Sequence, residues 1–208
     1  MNDTDTMTIW RGKDPLILAS QSRARQMLLA NAGISFDAIP ADIDERALQK
    51  DSGLSAPGEI ARLLAAEKAR FVSSQNPGRY VVGADQTLAV GGRLFSKPAG
   101  RAAAAEQLRL LAGQRHELHS AFAVARDGKI LLADVSIAGM TMRRLSASEI
   151  EAYLDQAGEA VTTSVGAYQL EGLGVHLFER IEGDHFTILG LPLLPLLAFL
   201  RSERLLAV

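Results

Sequence analysis

A short apolar run that turns at once into a helical pattern constrains this chain more than any other stretch. Leu16-Ile17-Leu18-Ala19 is brief, branched and bounded by polar residues, as a buried strand should be. Beyond Ser20-Gln21-Ser22, the residues Ala24, Met27, Leu28 and Ala32 recur at helical spacing. Ser22 is placed to cap that helix, since a serine hydroxyl can accept from a free N–H of the first turn. Arg23 and Arg25 then fall where cations oppose the positive end of the helix dipole. A bound anion reverses the sign of that argument, because free N–H groups, serine hydroxyls and guanidinium groups would all face it. The plain alternative is two solvated arginines on a surface helix.

Any such anion site must be local. The formal charge of −2 over 208 residues gives no global reason to bind nucleic acid. A chain of this length can build one sizeable core, so a single domain over 1–208 is expected, with residues 1–14 a poorly ordered N-terminal extension. The absence of cysteine excludes disulfides and thiolate zinc sites, and suits a reducing cytosol. Met1 to Trp10 is polar and acidic, unlike a signal peptide. The most apolar segment, Ile188 to Leu200, is too short to span a membrane and carries Pro192 and Pro195. It reads as a buried helix beginning near Pro192.

In chain order, the first helix is expected to stop at Asn31-Ala32-Gly33, followed by a strand over Ile34 to Ile39. Pro40 to Glu45 is an acidic loop whose Asp42, Asp44 and Glu45 could hold a hard divalent cation or form a solvated turn. Gly58 to Val72 has helical periodicity and contains Lys68, for which a surface position is the simple reading. Arg79 to Asp85 reads as a buried strand ending in a carboxylate, where α/β sheets gather their ligands; a turn or cap aspartate is the competing reading. A hairpin at Gly91-Gly92 delivers Ser96-Lys97-Pro98, with proline biasing Lys97 toward extended backbone. Arg101 to Leu111 is an alanine-rich helix. Glu117 to Arg126 and Lys129 to Arg144 are two long strands joined at Asp127-Gly128. His116 and His119 are read as polar strand positions, not metal ligands. Ser146 to Glu149 resembles a capping sequence. A glycine-punctuated stretch follows, in which Glu171 between Leu170 and Gly172 is an odd place for a carboxylate without a partner. No Walker phosphate loop or dinucleotide glycine fingerprint is present.

Four blocks, in order along nearly the whole chain, resemble one family. They are L-A-S-Q-S-R-A-R-Q-M-L-L, A-A-E-K-A, V-V-G-A-D-Q with S-K-P, and A-Y-Q-L-E-G-L-G with the terminal G-L-P-L. The family is that of the Maf (septum formation inhibitor) proteins, nucleoside triphosphate pyrophosphatases. The resemblance implies a cytoplasmic enzyme that cleaves a nucleoside triphosphate between the α- and β-phosphates. It implies an elongated α/β fold in which a mixed twisted sheet flanked by helices forms two lobes around a central cleft. It also implies a divalent cation, Mg²⁺ or Mn²⁺, and often a homodimer. By position, Ser20, Ser22 and Arg25 match the phosphate-binding start, Lys68 the helix lysine and Lys97 the lysine before proline. Asp85 matches the catalytic aspartate and, with Glu45 of the acidic loop, a metal ligand.

This chain departs from the commoner opening L-A-S-x-S-P-R-R: Arg23 stands at the proline and Ala24 at the first arginine. The branch acting on dTTP and UTP usually has threonine after the aspartate and glutamine before G-x-G. Gln86 and Glu171 here resemble instead the branch acting on 7-methyl-GTP, although Ala24 does not match the tryptophan expected there. The rival readings are a dTTP- or UTP-preferring enzyme of the same family, a non-catalytic nucleotide-binding regulator of division, and a phosphoryl or nucleotidyl transferase.

Overall fold

The computed structural model of the chain describes residues 9–208. Strand β1 (Leu16–Leu18) is wholly buried and parallel to both its neighbours, β2 (Phe36–Ala38) and β3 (Val81–Val90). Helix α1 (Arg23–Asn31) is the crossover from β1 to β2, capped by Ser22 as its sequence suggests. From β3 onward the chain is short-looped and antiparallel. β3 pairs with β4 (Arg93–Phe95) across the glycine turn and, on its other edge, with β5 (Arg115–Arg126). β5 turns at Asp127-Gly128 into β6 (Lys129–Met142), which pairs with β7 (Phe178–Glu182). The order across the seven-stranded sheet is β2-β1-β3-β5-β6-β7, with β4 on β3.

One face of this sheet is covered by the long helix α3 (Pro57–Gln75). Ala61, Ala65 and Ala69 lie four residues apart on α3, and they pack on Ala121, Ala123 and Ala125 of β5. With methyl groups on both sides, the helix backbone comes down onto the strands. Gly83 of β3 marks how far: a Cβ there would lie 2.1 Å from the Ala65 carbonyl oxygen and 2.6 Å from the Ala69 nitrogen. Only glycine fits under α3 at this point.

The other face carries two separate cores. The first joins Val82, Ala84, Phe122 and Val124 to β1, α1 and the C-terminal helix α7 (Leu193–Ser202). The second joins Leu88, Leu118 and Met140 to α4 (Arg101–Leu111), α5 (Ala147–Ala157) and the 3₁₀ turns that follow. α5 opens with the expected capping box: Ser146 Oγ accepts from the Glu149 N–H, and the Glu149 carboxylate accepts from Ser146 N–H at 2.8 Å. Between the two cores lies a polar seam of Gln86, Ser120 and the four-residue helix α6 (His185–Ile188).

Several expected boundaries shift. The strand expected over Ile34 to Ile39 keeps three residues, because β1 offers only three partners. Pro40 to Glu45 is not all loop: Asp44 caps a helix α2 (Glu45–Ser52) that buries none of its residues, by accepting from Ala47 N–H at 3.0 Å. An open groove of about 600 Å³ separates α2 from α3, lined by Ile43, Ala47, Leu48 and Phe71. Of the expected N-terminal extension, residues 1–8 lie outside the described residues. Residues 9–11 pair with the C-terminal segment, where Trp10 bridges Leu206 and is buried.

Candidate active site

Asp85 was expected at the end of a strand, and it lies in the middle of one. β3 runs five residues further, to Val90, because β5 pairs it continuously along one edge. The other edge changes partner. β1 pairs β3 at Val81 and Val82, and β4 takes over only at Leu88. Asp85 stands at the gap, beside the carboxyl end of β1, so the ligand-gathering strand end is that of β1.

The side chain of Asp85 projects from the α3 face, as Gly83 does, because residues two apart share a face of a strand. The close descent of α3 brings Lys68 onto it: Nζ lies 2.6 Å from Asp85 Oδ1 and 2.9 Å from Glu45 Oε1. A buried ammonium thus joins the strand aspartate to the first residue of α2. It donates a hydrogen bond to Asp85 and holds Glu45 by an ion pair.

Arg25 reaches the gap from the other face. Its Nε donates to the Gly190 carbonyl at 2.8 Å, and Nη1 donates to the Ala84 carbonyl at 2.8 Å and to Ser20 Oγ at 3.1 Å. Ala84 has a carbonyl to offer because no strand pairs that edge of β3. Ser20 Oγ also accepts from Ser22 N–H at 3.2 Å, and Ser22 Oγ from Arg25 N–H at 3.4 Å. Ser20, Ser22 and Arg25 are therefore one hydrogen-bonded unit at the end of β1. Three guanidinium N–H groups are spent on protein. The two on Nη2 have no partner among the described residues. Gly190 has a φ of +88°, and a Cβ there would sit 3.2 Å from Arg25 Nε, so this turn is shaped to the guanidinium.

Burial pushes the Asp85 carboxyl above the ordinary aspartate range; Lys68 and Arg25 pull it back only in part, and Glu45 adds to the push. Burial likewise lowers the Arg25 guanidinium, against the opposing pull of Asp85 and Glu45. Two cations and two carboxylates in this arrangement can take up a proton at Asp85, hold a polyanion through Arg25, and offer carboxylate oxygens to a cation.

The structure thus brings together Ser20, Ser22, Arg25, Glu45, Lys68 and Asp85. The other expected positions lie outside this network. Lys97 is exposed just beyond β4 and makes no ion pair among the described residues. Ala24 packs against the first core. Glu171 is exposed in the turn after Tyr168, also without an ion pair among the described residues. Gln86 neighbours Asp85 in sequence but projects from the opposite face, where its amide meets Ser120 and α6. His116 and His119 both lie buried on β5, consistent with strand positions. His116 Nε2 is 2.8 Å from the Tyr168 hydroxyl, and burial, with Arg115 nearby, lowers its pKa to about 4. No group of three histidine, aspartate or glutamate side chains forms a metal cage among the described residues.

Reading the sequence missed Gly83, Gly190 and the alanine stripe. A glycine inside an apolar strand and alanines at every fourth position of a helix were the available signals for the close approach. Nothing local marks Gly190 as the partner of a side chain 165 residues away.

A family model described as Maf-like protein matches residues 15–203. A nucleoside triphosphate pyrophosphatase of Rhodopseudomonas palustris is 73% identical over 202 residues, covering 97% of this chain and 100% of its own. A protein of the same name from Bradyrhizobium diazoefficiens is 72% identical over 202 residues, with 97% and 100% covered. A 7-methyl-GTP pyrophosphatase of Brucella abortus is 53% identical over 192 residues, covering 91% of this chain and 96% of its own. With Ser20, Ser22, Arg25, Lys68 and Asp85 of the motifs gathered at one gap in the sheet, and with a family model and relatives matching nearly the whole chain, the chain belongs to the Maf-like protein family.

Proposed function

We propose that this chain hydrolyses nucleoside triphosphates between the α- and β-phosphates, releasing a nucleoside monophosphate and pyrophosphate, and that it prefers 7-methyl-GTP. The observation that carries the reading is Asp85, a buried carboxylate of raised pKa held by Lys68 beside the anchored guanidinium of Arg25. A carboxylate whose pKa is raised above the ordinary range is a stronger base than a solvated aspartate. As the water oxygen bonds to the α-phosphorus, Asp85 takes the water proton. The bond to the bridging oxygen breaks, and its electron pair leaves with pyrophosphate. In this reading Arg25, Lys68 and Lys97 hold the phosphates and the leaving pyrophosphate, and positioning and electrostatics supply most of the rate.

A divalent cation, Mg²⁺ or Mn²⁺, belongs to this reading, and the donors present fit it. Asp85 and Glu45 would hold it, each with one carboxylate oxygen free of hydrogen bonds among the described residues. Mg²⁺ is commonly bound by one or two carboxylates together with substrate phosphates. The charges argue the same way: Arg25 and Lys68 are balanced by Asp85 and Glu45, whereas a triphosphate brings about four negative charges. When bound, the cation supplies the positive charge that the phosphates lack. Lys68 keeps Asp85 and Glu45 on the same locus.

The base preference rests on Glu171 and is supported by the name of the Brucella abortus relative. Guanine presents two adjacent donors on its pairing edge, which a carboxylate can accept together. Methylation at the seventh nitrogen adds positive charge. Thymine and uracil present an alternating edge whose carbonyls repel a carboxylate. A cytoplasmic location and a homodimer belong to the same proposal; no helix among the described residues is long and apolar enough to cross a membrane. The test is pyrophosphate release from a panel of triphosphates, with metal and with chelator. Release that needs metal and is fastest per substrate concentration on 7-methyl-GTP is expected, with Glu171→Gln narrowing the preference. A wild-type preference for dTTP or UTP would refute the base assignment. Absence of release from every triphosphate would refute the activity.

A further inference from the structure

We infer that Gln86 is a positioning residue for Arg25, acting through the α6 turn and not by contact with the base. The inference rests on the phosphate role proposed for Arg25 above. Gln86 Nε2 lies 2.8 Å from Ser120 Oγ, 3.2 Å from the Thr187 carbonyl and 3.0 Å from the Ile188 carbonyl. Two carbonyl acceptors settle which end of the amide is nitrogen, since the oxygen would be repelled there. Both N–H groups of Gln86 are therefore spent on protein.

The Thr187 carbonyl that Gln86 meets is shared. It accepts from Ser120 Oγ at 2.6 Å and from Gly190 N–H at 3.1 Å. Gly190 in turn gives its carbonyl to Arg25 Nε, and Arg25 returns to β3 through the Ala84 carbonyl. The bonds close a ring that leaves β3 at Gln86, passes through Thr187, Gly190 and Arg25, and rejoins β3 at Ala84. Asp85 is the residue between the two ends. Asp184 pins the far side of the turn, accepting from Thr187 N–H at 2.9 Å and from its hydroxyl. Thr187 and Ser120 are fully buried, so the relay is shielded from competing water. Removing the Gln86 amide frees the turn, loosens the Gly190 carbonyl and allows Arg25 other rotamers. Phosphate affinity falls whatever base is attached.

A base-free probe separates this role from base recognition. Binding of inorganic tripolyphosphate, with Mg²⁺, is measured by calorimetry for wild type, Gln86→Leu and Ser120→Ala, alongside the ratio of kcat/KM for 7-methyl-GTP, dTTP and UTP. Gln86→Leu is expected to weaken tripolyphosphate binding about three- to thirty-fold while leaving that ratio unchanged. Ser120→Ala should act in the same direction to a smaller extent, and it carries the test alone if Gln86→Leu does not fold. Unchanged tripolyphosphate affinity overturns the inference, and an altered base ratio beside it makes Gln86 a base reader. Arg25→Ala is the control: if it binds tripolyphosphate as wild type does, the phosphate role of Arg25 fails, and with it the premise, independently of Gln86.

Discussion

At Asp85, burial and two cations pull in opposite directions, and burial prevails: the folded protein holds this carboxyl above its ordinary pKa. By linkage, a carboxyl raised on folding contributes stability below its unfolded pKa, about 4, and loses that contribution as pH rises through the folded value. The ionised Asp85 that chemistry requires is therefore the form the fold favours least. Asp85→Asn should abolish pyrophosphate release yet match or exceed wild type in melting temperature at neutral pH, with the gap widening from about pH 4 upward. Melting curves across that range, beside activity assays, check both halves. A variant that melts well below wild type at neutral pH would mean the bond to Lys68 outweighs the burial. Lys68 keeps Glu45 as a partner in this variant, so the substitution does not strand a buried cation.

At the scale of elements, the position of Lys68 depends on how deeply its helix is seated. The alanine stripe of α3 and Gly83 set the depth of the helix, and that depth lets an ammonium reach the strand aspartate. Gly83→Ala puts a methyl group into two backbone atoms of α3, so the helix must move, at a cost of about 1–3 kcal/mol. A lowered melting temperature together with lost kcat/KM is expected; unchanged activity would show that the helix has another way to seat Lys68. A milder change elsewhere, Ser146→Ala, should cost about 1 kcal/mol through the cap of α5 and leave kcat/KM alone. These elements also show which signals were local. Ser146 with Glu149, Asp127-Gly128, Gly91-Gly92 and the run Leu16–Ala19 were legible because each completes its structure within a few residues. The extent of β3 beyond Asp85 was not, since it depends on β5 pairing the strand where β1 has stopped. Nor was α2, an eight-residue helix in which only Ala47 and Leu48 are apolar. The cluster of Arg25, Lys68, Asp85 and Glu45 was named through family resemblance; the carbonyls of Ala84 and Gly190 that hold Arg25 were beyond sequence reading, since backbone atoms leave no residue-type signature.

Across the whole molecule, β3 and β5 run through both cores of one sheet face, with Val82 and Phe122 in one and Leu88 and Leu118 in the other. Neither core can dissolve without fraying strands that the other needs, so unfolding should be a single transition. Trp10, the one tryptophan, reports the first core, and far-UV circular dichroism reports all elements. The two should coincide in urea; separate midpoints would show that the polar seam at Gln86 divides the molecule into independent units. The tight seating of α3 then reaches beyond stability. Asp85 and Lys68 belong to a wall with no slack, because any travel of the helix toward the sheet is stopped by backbone atoms. Glu45 belongs to α2, which buries nothing and stands off α3 across an open groove. Any adjustment to an incoming triphosphate is therefore expected of the side that carries Glu45, tied to α3 by the Lys68 ion pair, and not of α3 itself.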